Sequence, residues 1–257
     1  MGEMRKCEDE RFARSEALLG SEAMARLKAA RVLVVGVGGV GSWCAEALVR
    51  TGLGHITLID DDVVAESNVN RQCPATAVTV GRPKVEAMAE RLRAINPDCE
   101  VEAVNMRYTS SSVSCLKSFA LVVDAIDSVD CKAELILGAT EAGVPIVSSM
   151  GAALRLDPTK VKVTRFEKVE GDGLARALRQ RFKKLGRFPS AKFSCVWSGE
   201  VARGVPSSEA ERIPLLHSGE GIPLLRSGKG SLMLVTATFG MCLASEAIKI
   251  LTKGEAK

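Results

Sequence analysis

The sequence is poor in histidine and in aromatic residues: its 257 residues include two histidines, one tyrosine and two tryptophans. His55 lies in a predicted strand and His217 in a loop, so a mechanism built on a histidine base or a Ser-His-Asp triad is disfavoured. The opposite charges nearly cancel, with 35 Lys and Arg against 31 Asp and Glu. The net charge of +4 indicates nucleic-acid binding only if the cations are clustered.

None of the eight cysteines forms a C-x-x-C pair. The zinc-ribbon and thioredoxin-type sites are therefore excluded. The first ten residues are charged from Glu3 onwards and contain no apolar segment, so we expect no secretory signal. Scattered thiols without an export signal predict a reducing compartment, and hence a cytoplasmic protein.

Only one apolar stretch, residues 231–251, approaches the length of a membrane span. Glu246 and Lys249 interrupt it, and small residues are distributed through it. Such a composition is typical of a helix buried in a core or in a subunit interface. We therefore expect no stable insertion into a membrane.

The hydrophobic pattern predicts an α/β fold. Short runs rich in valine and isoleucine alternate with segments of helical periodicity. The predicted strands cover residues 31–36, 55–60, 100–105, 120–124 and 144–148, and the predicted helices cover 16–30, 40–50, 83–95 and 131–142. This alternation predicts a doubly wound, mostly parallel, Rossmann-like sheet.

The pattern changes after Gly151. We expect a half-exposed strand at 161–164, a basic helix at 174–187 and a mobile loop near 200–230. This loop contains a tandem duplication, residues 213–221 and 222–230, whose two copies match at seven of nine positions. The predicted organisation is an N-terminal helical arm (1–30), a Rossmann-like nucleotide-binding domain (31–150) and a C-terminal portion (151–257) that completes the sheet.

A glycine-rich motif lies between the first strand and the next helix. It reads G-x-G-x-x-G, with glycines at Gly36, Gly38, Gly39 and Gly41. Glycines in this position allow a tight turn and let backbone N–H groups approach phosphate. Asp60, at the end of the second strand, is placed to bind a ribose hydroxyl. NAD, FAD and ATP all remain open, and the fingerprint alone leans towards NAD.

Three polar segments follow the strands or open the next helix: Asn68–Gln72, Gly81–Lys84 and Asp124–Ser128. Open α/β sheets bind ligands at the carboxyl ends of their strands, so these segments should converge on one crevice. Arg71 and Lys84 would neutralise a polyphosphate, and Asp127 is an oxygen ligand suited to Mg²⁺. Together they favour ATP over a dinucleotide.

These motifs resemble the ubiquitin-activating-enzyme-like adenylyltransferases, the superfamily that also activates sulfur-carrier proteins. The resemblance spans about residues 11 to 252. The superfamily segments are Arg11–Arg14, Val35–Ser42, Leu58–Asp62, Asn68–Gln72, Gly81–Lys84 and Ile95–Asp98. Four more segments resemble the branch that dehydrates N6-threonylcarbamoyladenosine in tRNA: Asp124–Ser128, Ser148–Ala152, Leu156–Pro158 and Val235–Gly240.

The resemblance implies an ATP-dependent dehydration, in which the threonyl carboxylate is adenylated and a ring then closes with release of AMP. It implies catalytic roles for Arg14 (acting on the site of a partner subunit), Arg71, Lys84 and Asp127. The nucleotide-binding residues would be Gly36, Gly38, Gly39, Gly41, Asp60, Asn68, Arg71, Lys84, Asp127 and Ser128, with Asp127 also the ligand of the metal.

The same resemblance implies the ligands and partners. These are ATP and Mg²⁺, with a monovalent cation as a further candidate, and tRNA carrying N6-threonylcarbamoyladenosine. A role for Arg14 in a neighbouring site implies a homodimer, and residues 151–257 would serve the substrate and the dimer interface. A sulfur-transfer protein is another candidate partner.

Two alternative functions stay open. The first is adenylation of the C-terminus of a ubiquitin-like or sulfur-carrier protein, which the absence of C-x-x-C pairs disfavours. Cys195 is the best thiol for a thioester in that reaction, although a buried, unreactive thiol is the other interpretation. The second alternative is a Rossmann dehydrogenase or an NAD-binding regulator.

The cations cluster in one region. Seven basic residues and no acidic one lie between Gly173 and Gly199: Arg176, Arg179, Arg181, Lys183, Lys184, Arg187 and Lys192. Phe182, Phe188 and Phe193 are interleaved with them. Cations that contact phosphates, together with an aromatic ring that stacks on an unpaired base, are typical of RNA binding. A solvated helix face is the alternative interpretation.

Overall fold

The computed structural model describes residues 9–111, 116–202 and 230–253. The predictions made for His217 and for most of the loop near 200–230, including nearly all of its duplication, lie outside the described residues.

A seven-stranded sheet forms the centre of the fold. Its strands are β1 (Arg31–Val35), β2 (His55–Asp60), β3 (Glu100–Asn105), β4 (Leu121–Asp124), β5 (Ile146–Ser149), β6 (Val161–Arg165) and β7 (Ser194–Ser198). Their order across the sheet is β3-β2-β1-β4-β5-β7-β6. All neighbours are parallel except β6 and β7, which are antiparallel. The doubly wound sheet and its completion by the C-terminal portion are thus confirmed.

Seven α-helices accompany the sheet in the described residues. They are α1 (Ala13–Leu19), α2 (Ser21–Ala29), α3 (Gly41–Arg50), α4 (Lys84–Ile95), α5 (Val129–Glu141), α6 (Gly173–Leu185) and α7 (Met233–Thr252). The prediction of one helix over 16–30 was wrong. Gly20 adopts φ +85° and ψ 156° between α1 and α2, which no helical residue can adopt, so the chain breaks there.

Each face of the sheet has its own apolar core. Alternate residues of β1 point to opposite sides: Val32 and Val34 pack with α3, α4 and α7, whereas Leu33 and Val35 pack with α5 and α6. This division follows from the period of two along a strand. Helices on both faces bury the sheet and leave its carboxyl edge accessible.

Helix α7 corresponds to the predicted apolar helix at 231–251. It packs against α3 so closely that a Cβ added to Gly240 would lie 2.6 Å from Val40 O. It is long and apolar enough to cross a membrane by length and composition, and 44% of its apolar window is buried inside the fold. Core helices of soluble proteins commonly meet the same criteria.

Strand β7 was not predicted. It lies between β5 and β6 and brings Cys195 into the sheet beside Ser148. The order of the strands also defines the ligand crevice. Strand β2 lies on one side of β1 and β4 lies on the other, so the direction of the winding reverses at β1. Ligands bind at the carboxyl ends of the strands at such a switch point.

Candidate active site

Two glycines of the G-x-G-x-x-G motif are required by the turn itself. Gly36 adopts φ +92°, and a Cβ added to it would lie 2.6 Å from Ala125 O. A Cβ on Gly41 would lie 1.8 Å from Gly36 O. Side chains at these positions are incompatible with the backbone, so these glycines build the connection between β1 and α3.

The other two glycines leave the loop accessible. A Cβ on Gly38 would meet only Gln72 Nε2, at 3.9 Å. At Gly39 the nearest atom would be Arg71 Cγ, at 3.3 Å. The loop therefore presents backbone to the crevice, with the segment that carries Arg71 and Gln72 lying over it.

Asp60 joins the end of β2 to the glycine loop. Its Oδ2 accepts a hydrogen bond from Val37 N–H at 2.6 Å, and its Oδ1 accepts one from Asp62 N–H at 2.9 Å. Burial raises the pKa of this carboxyl above its ordinary value, against the opposing effect of nearby Lys84. Each carboxylate oxygen keeps a second lone pair, which suits the predicted contact with a ribose hydroxyl.

Lys84 is a buried cation at the first turn of α4. Its side chain is 7% exposed, and its Nζ lies 2.6 Å from Asp62 Oδ2. The backbone is tied to the same residue, because Lys84 N–H donates to Asp62 O at 3.0 Å. The ammonium is thereby held next to the loop after β2, with further N–H donors for a phosphate.

Hydrogen bonds hold both the backbone carbonyl and the guanidinium of Arg71. Trp43 Nε1 donates to Arg71 O at 2.9 Å, and the guanidinium NH1 donates to Ser67 O at 2.8 Å and to Asn70 Oδ1 at 2.9 Å. Asn68 shapes the same loop, because its Oδ1 accepts a hydrogen bond from Ala65 N–H at 3.1 Å. These contacts bring Arg71 to the glycine loop, and the role of Asn68 towards a nucleoside stays a prediction.

The loop that carries Asp127 rests on a buried ion pair that the sequence did not indicate. Lys132 Nζ lies 2.8 Å from Asp124 Oδ2, and both side chains are fully buried. Ser148 Oγ donates to the same carboxylate at 2.6 Å. Ile126 is held at both ends, since its N–H donates to Asp124 Oδ1 at 3.2 Å and its O accepts from Lys132 Nζ at 3.0 Å.

A signal for the burial of Lys132 was present in the helical periodicity. Leu135, Ile136 and Ala139 are buried at three, four and seven positions after it. Residues with these spacings share one face of a helix. A lysine on that face needs a buried partner, and Asp124 at the end of β4 is that partner.

Asp127 itself is exposed and makes no hydrogen bond within the described residues. Arg107 lies close enough for its guanidinium to interact electrostatically with Asp127. One free carboxylate beside a phosphate site matches the way Mg²⁺ binds, through one or two carboxylates and phosphate oxygens. The residues thus fit the predicted metal, with Asp127 as the residue that would hold it.

A second acidic cluster fits a metal less well. Carboxylate oxygens of Asp60, Asp61 and Asp62 lie within 4.8 Å of one another. However, Asp60 already accepts two backbone hydrogen bonds, and Asp62 pairs with Lys84. These interactions explain the cluster without an ion.

Gln72 is a site residue that the sequence analysis did not select. Its side chain is buried against the loop at Gly38, and its Oε1 has no hydrogen-bond partner among the described residues. A buried amide normally satisfies its polar atoms. Its position next to Arg71 in the Asn68–Gln72 motif was the available signal.

Arg14 and Ser128 make few contacts within the chain. Arg14 is exposed on α1 and forms no hydrogen bond or ion pair with the described residues. Ser128 is the N-cap of α5, next to Asp127, but its side chain forms no capping hydrogen bond. Their roles stay predictions, as does a monovalent cation.

The structure divides the seven clustered cations into two groups. Three are engaged within the protein: Arg179 donates to Phe166 O and Val169 O, Arg181 pairs with Asp130, and Arg187 pairs with Glu141. The other four are exposed: Arg176, Lys183, Lys184 and Lys192. Of the three phenylalanines, Phe182 and Phe193 are buried and Phe188 is 60% exposed.

Cys195 is fully buried in β7. Burial raises the pKa of its thiol far above the ordinary value. A reactive cysteine needs a lowered pKa and access to its substrate. The structure therefore places Cys195 in the core as an inert thiol.

Comparisons with known proteins show what the whole chain is similar to. The model of the ThiF family matches residues 12–257. The chain is 42% identical over 249 residues to the tRNA threonylcarbamoyladenosine dehydratase of Escherichia coli K12, covering 93% of this chain and 92% of that protein. It is 37% identical over 205 residues to the molybdopterin-synthase adenylyltransferase of Salmonella typhimurium LT2, covering 79% and 78%.

A solved structure shows the same fold. The crystal structure of the E. coli tRNA N6-threonylcarbamoyladenosine dehydratase TcdA in complex with ATP matches this chain with a TM-score of 0.80 and 39% identity. The match covers 94% of this chain and 93% of that one.

Proposed function

Because the chain belongs to the ThiF family, we propose that it catalyses the ATP-dependent dehydration of N6-threonylcarbamoyladenosine in tRNA to the cyclic form. The observation that carries the proposal is the 42% identity to a named dehydratase over 93% of the chain. The site supports it, because Arg71 and Lys84 follow β2 and Asp127 follows β4, on the two sides of β1, from which the glycine loop leaves the sheet.

The first step is the formation of an acyl-adenylate. A carboxylate oxygen of the threonyl group attacks the α-phosphorus of ATP, and pyrophosphate leaves. Such reactions depend on positioning and on neutralisation of charge rather than on a general base. Lys84, Arg71 and Arg14 of the partner subunit offset the negative charge, and Mg²⁺ held at Asp127 would neutralise more of it.

The second step closes the ring. The carbamoyl oxygen attacks the activated acyl carbon, the carbamoyl N–H gives its proton to solvent, and AMP leaves with the carboxylate oxygen that had attacked the phosphorus. The product has therefore lost the elements of one water molecule, and ATP has become AMP and pyrophosphate. The reaction is intramolecular and needs no nucleophile from the protein, in agreement with the buried Cys195.

The two alternative functions receive less support. The carrier-protein reaction rests on 37% identity to a molybdopterin-synthase adenylyltransferase over 79% of the chain, and a thioester on Cys195 would require a buried thiol to become accessible. An NAD-dependent activity would leave Arg71 and Lys84 without a polyphosphate. Calorimetry with ATP–Mg²⁺ and with NAD separates these functions, and tight NAD binding without a response to ATP would contradict the proposal.

The exposed cations of α6 and of the segment that follows it provide a surface for the tRNA, which we call the α6 cation surface and define as Arg176, Lys183, Lys184 and Lys192. It lies near the catalytic edge, because Nε of Arg181, on the same helix, is 2.8 Å from Asp130 Oδ1, and Asp130 is three residues after Asp127. Exposed Phe188 follows the helix and offers a ring for stacking on an unpaired base.

The remaining partners follow from the same proposal. Arg14 is exposed on α1 and forms no hydrogen bond or ion pair with the described residues, which suits a homodimer in which each subunit completes the site of the other. The tRNA substrate implies a cytoplasmic enzyme. A bound monovalent cation and a sulfur-transfer protein are further expectations from the family.

The decisive experiment measures release of AMP and pyrophosphate with tRNA that carries N6-threonylcarbamoyladenosine. Wild-type protein should release both, and unmodified tRNA of the same sequence should give no release. No stimulation by the modified tRNA would refute the proposal. In cells that lack the protein, mass spectrometry of tRNA nucleosides should show loss of the cyclic base, restored by wild type but not by Lys84→Ala or Asp127→Ala.

A binding experiment tests the α6 cation surface. Lys183→Gln combined with Lys184→Gln should weaken tRNA binding and reduce the dependence of affinity on salt, because each lost phosphate contact removes about one released counterion. The control changes two exposed lysines elsewhere, Lys28→Gln with Lys249→Gln, and should preserve the affinity. Equal effects of both double variants would show that only net charge matters.

A further inference from the structure

The segment after β5 contains a buried arginine, Arg155. It belongs neither to the nucleotide site nor to the α6 cation surface. Arg155 lies between two segments of the sequence resemblance, residues 148–152 and 156–158. Its side chain is 3% exposed. Arginine is almost never buried to this extent without a full set of partners.

The guanidinium lies over the carboxyl end of β5. The chain leaves the sheet at Met150, whose N–H donates to Val196 O at 2.8 Å, and then turns back. Arg155 Nε donates to Gly151 O at 3.4 Å. Strand β5 is the neighbour of β4, which leads to Asp127, so Arg155 occupies the next position along the same edge of the sheet.

Arg155 has an unused hydrogen-bond donor. Its NH2 donates to Asp172 Oδ2 at 3.5 Å, and its Nε contacts Gly151 O. Its NH1 is buried and has no partner among the described residues. Because buried polar groups are normally hydrogen-bonded, a buried NH1 without a partner indicates a missing acceptor.

Asp172 balances the charge of Arg155 but uses only part of the guanidinium. Its Oδ1 accepts a hydrogen bond from Ala175 N–H at 2.9 Å, as the N-cap of α6, and its Oδ2 accepts one from Gly151 N–H at 3.1 Å. The carboxylate therefore has partners without Arg155. The ion pair holds the guanidinium in place and leaves NH1 without a partner among the described residues.

The backbone before Arg155 is strained. Leu154 adopts φ +62°, and it is the one residue other than glycine with a positive φ in the described part of the chain. Such conformations persist where the surroundings impose them, and they cluster at ligand sites. Here the strained residue directly precedes the arginine and sets the direction of its side chain.

We propose that Arg155 binds the acyl substrate, its NH1 donating to the carboxylate oxygen of the threonylcarbamoyl group that does not attack ATP. This inference rests on the proposed function. The nucleotide site occupies the ends of β1, β2 and β4, so the acyl group that meets it extends over β5. A guanidinium matches a carboxylate in charge and geometry.

The same donor would serve both steps. After adenylation the oxygen bound by Arg155 is the acyl carbonyl oxygen, which gains negative charge when the carbamoyl oxygen attacks the acyl carbon. A fixed donor at that oxygen stabilises the developing charge. Arg155 would thus select the carboxylate substrate and also favour ring closure.

The test compares binding of modified and unmodified tRNA. Arg155→Met keeps an unbranched apolar stem and removes every donor. The preference for modified over unmodified tRNA should fall by about tenfold or more, as expected for a lost charge-assisted hydrogen bond. The KM for modified tRNA should rise, while the affinity for unmodified tRNA and the KM for ATP should stay within about twofold of wild type.

Arg179→Met is the matched control. This arginine lies on α6 and is partly buried, but its NH2 already donates to Phe166 O and Val169 O. We expect a lower melting temperature and an unchanged preference for modified tRNA. A structural role for Arg155 would give this same pattern, so an unchanged preference in Arg155→Met overturns the proposal.

Two outcomes must be kept apart. A wild-type protein that neither prefers nor converts modified tRNA refutes the proposed function itself. If wild type prefers and converts modified tRNA and Arg155→Met shows the same preference, only the role of Arg155 is refuted. If Arg155→Met does not fold, Arg155→Lys replaces it: lysine lacks the planar donors, so the preference should again fall, and an unchanged preference again overturns the proposal.

Discussion

Two lysines, Lys84 and Lys132, are buried among the described residues. Their partners indicate which lysine has a structural role and which one is suited to bind a ligand. Lys132 donates to Asp124 and to Ile126 O, both inside the protein. Lys84 pairs with Asp62, whose side chain is 67% exposed at the mouth of the crevice. Lys132 is therefore satisfied before any ligand arrives, whereas the ammonium of Lys84 is held at a surface where phosphate can bind it.

Glu46 is the residue on which the pH dependence of stability can be tested. It is buried on α3, and its carboxylate accepts hydrogen bonds from Arg91 Nε at 2.5 Å, Arg50 Nε at 2.8 Å and Cys73 Sγ at 2.8 Å. Burial alone would raise its pKa, but these donors prevail and lower the pKa to about 2. The charged form is thus stabilised by folding.

We predict that Glu46→Gln lowers the free energy of unfolding by roughly 2–3 kcal/mol at pH 7. Because the folded pKa lies below the ordinary value of 4.5, the contribution of Glu46 is complete above pH 4.5 and is lost as the pH falls towards 2. The difference between wild type and variant, measured by urea unfolding at pH 7, 5 and 4, should therefore narrow below pH 4.5.

Glu90→Gln is the control for this prediction. Glu90 lies on α4 and pairs with Arg82 at the surface, where its side chain is 68% exposed. Exposed ion pairs contribute little, so its removal should change stability by less than about 1 kcal/mol. An equal loss of unfolding free energy in Glu46→Gln and Glu90→Gln would contradict the assignment of Glu46 as the buried carboxylate that joins α3, α4 and the loop that carries Arg71.

At the scale of the element, the glycine loop contains two kinds of glycine that substitution can distinguish. Gly41→Ala places a methyl group 1.8 Å from Gly36 O, so the turn cannot form. Gly38→Ala meets nothing closer than Gln72 Nε2 at 3.9 Å and leaves the turn intact.

We therefore predict opposite phenotypes for these variants. Gly38→Ala should keep the melting temperature of wild type but raise the Kd for ATP by about tenfold or more, because its methyl group occupies the space through which phosphate approaches the backbone. Gly41→Ala should unfold at a much lower temperature. Thermal unfolding and calorimetry with ATP check both, and a Gly38→Ala variant with unchanged ATP affinity would show that phosphate does not approach this glycine.

The elements differ in how well the sequence predicts them. Strands β1, β2 and β3 are continuous runs or alternations of β-branched residues bounded by turn residues, and they were predicted within a residue of their ends. Strand β7 was missed because it has only five residues and because a serine stands at each of its ends. Its strand state depends on pairing with β5 and β6, which local pattern does not contain.

The site shows the same limit for long-range contacts. The glycine loop, Asp60 and Asp127 could be selected because they stand at or just after strand ends, where a parallel sheet binds its ligands. Lys84 opens α4, and Arg71 could be selected from the Asn68–Gln72 motif in the connection between β2 and α4. Gln72 and Arg155 are defined by burial against residues distant in sequence, which only the folded chain brings to them. The partner of Lys132, Asp124, is near in sequence, and the periodicity of the helix indicated that this lysine is buried.

At the scale of the whole molecule, the N-terminal and C-terminal helices carry apolar residues that the single chain leaves exposed. Leu18 on α1 is 85% exposed, and on α7 Leu234 is 65% and Met241 45% exposed. Exposed apolar side chains grouped on particular elements are typical of interaction surfaces. Since α1 also carries Arg14, these helices are suited to a homodimer that shares its active sites.

Sharing of sites can be tested by mixing two inactive variants. Arg14→Ala lacks the arginine given to the partner, and Lys84→Ala lacks the lysine of its own site, so each homodimer should be inactive. In a mixed dimer one site combines an intact Lys84 with an intact Arg14 from the other subunit. Equal amounts, allowed to exchange subunits, give about half mixed dimers with one intact site each, and hence about a quarter of wild-type AMP release. Recovery of no activity after verified exchange would show that Arg14 acts within its own subunit, whereas an active Arg14→Ala homodimer would show that Arg14 does not act in the reaction.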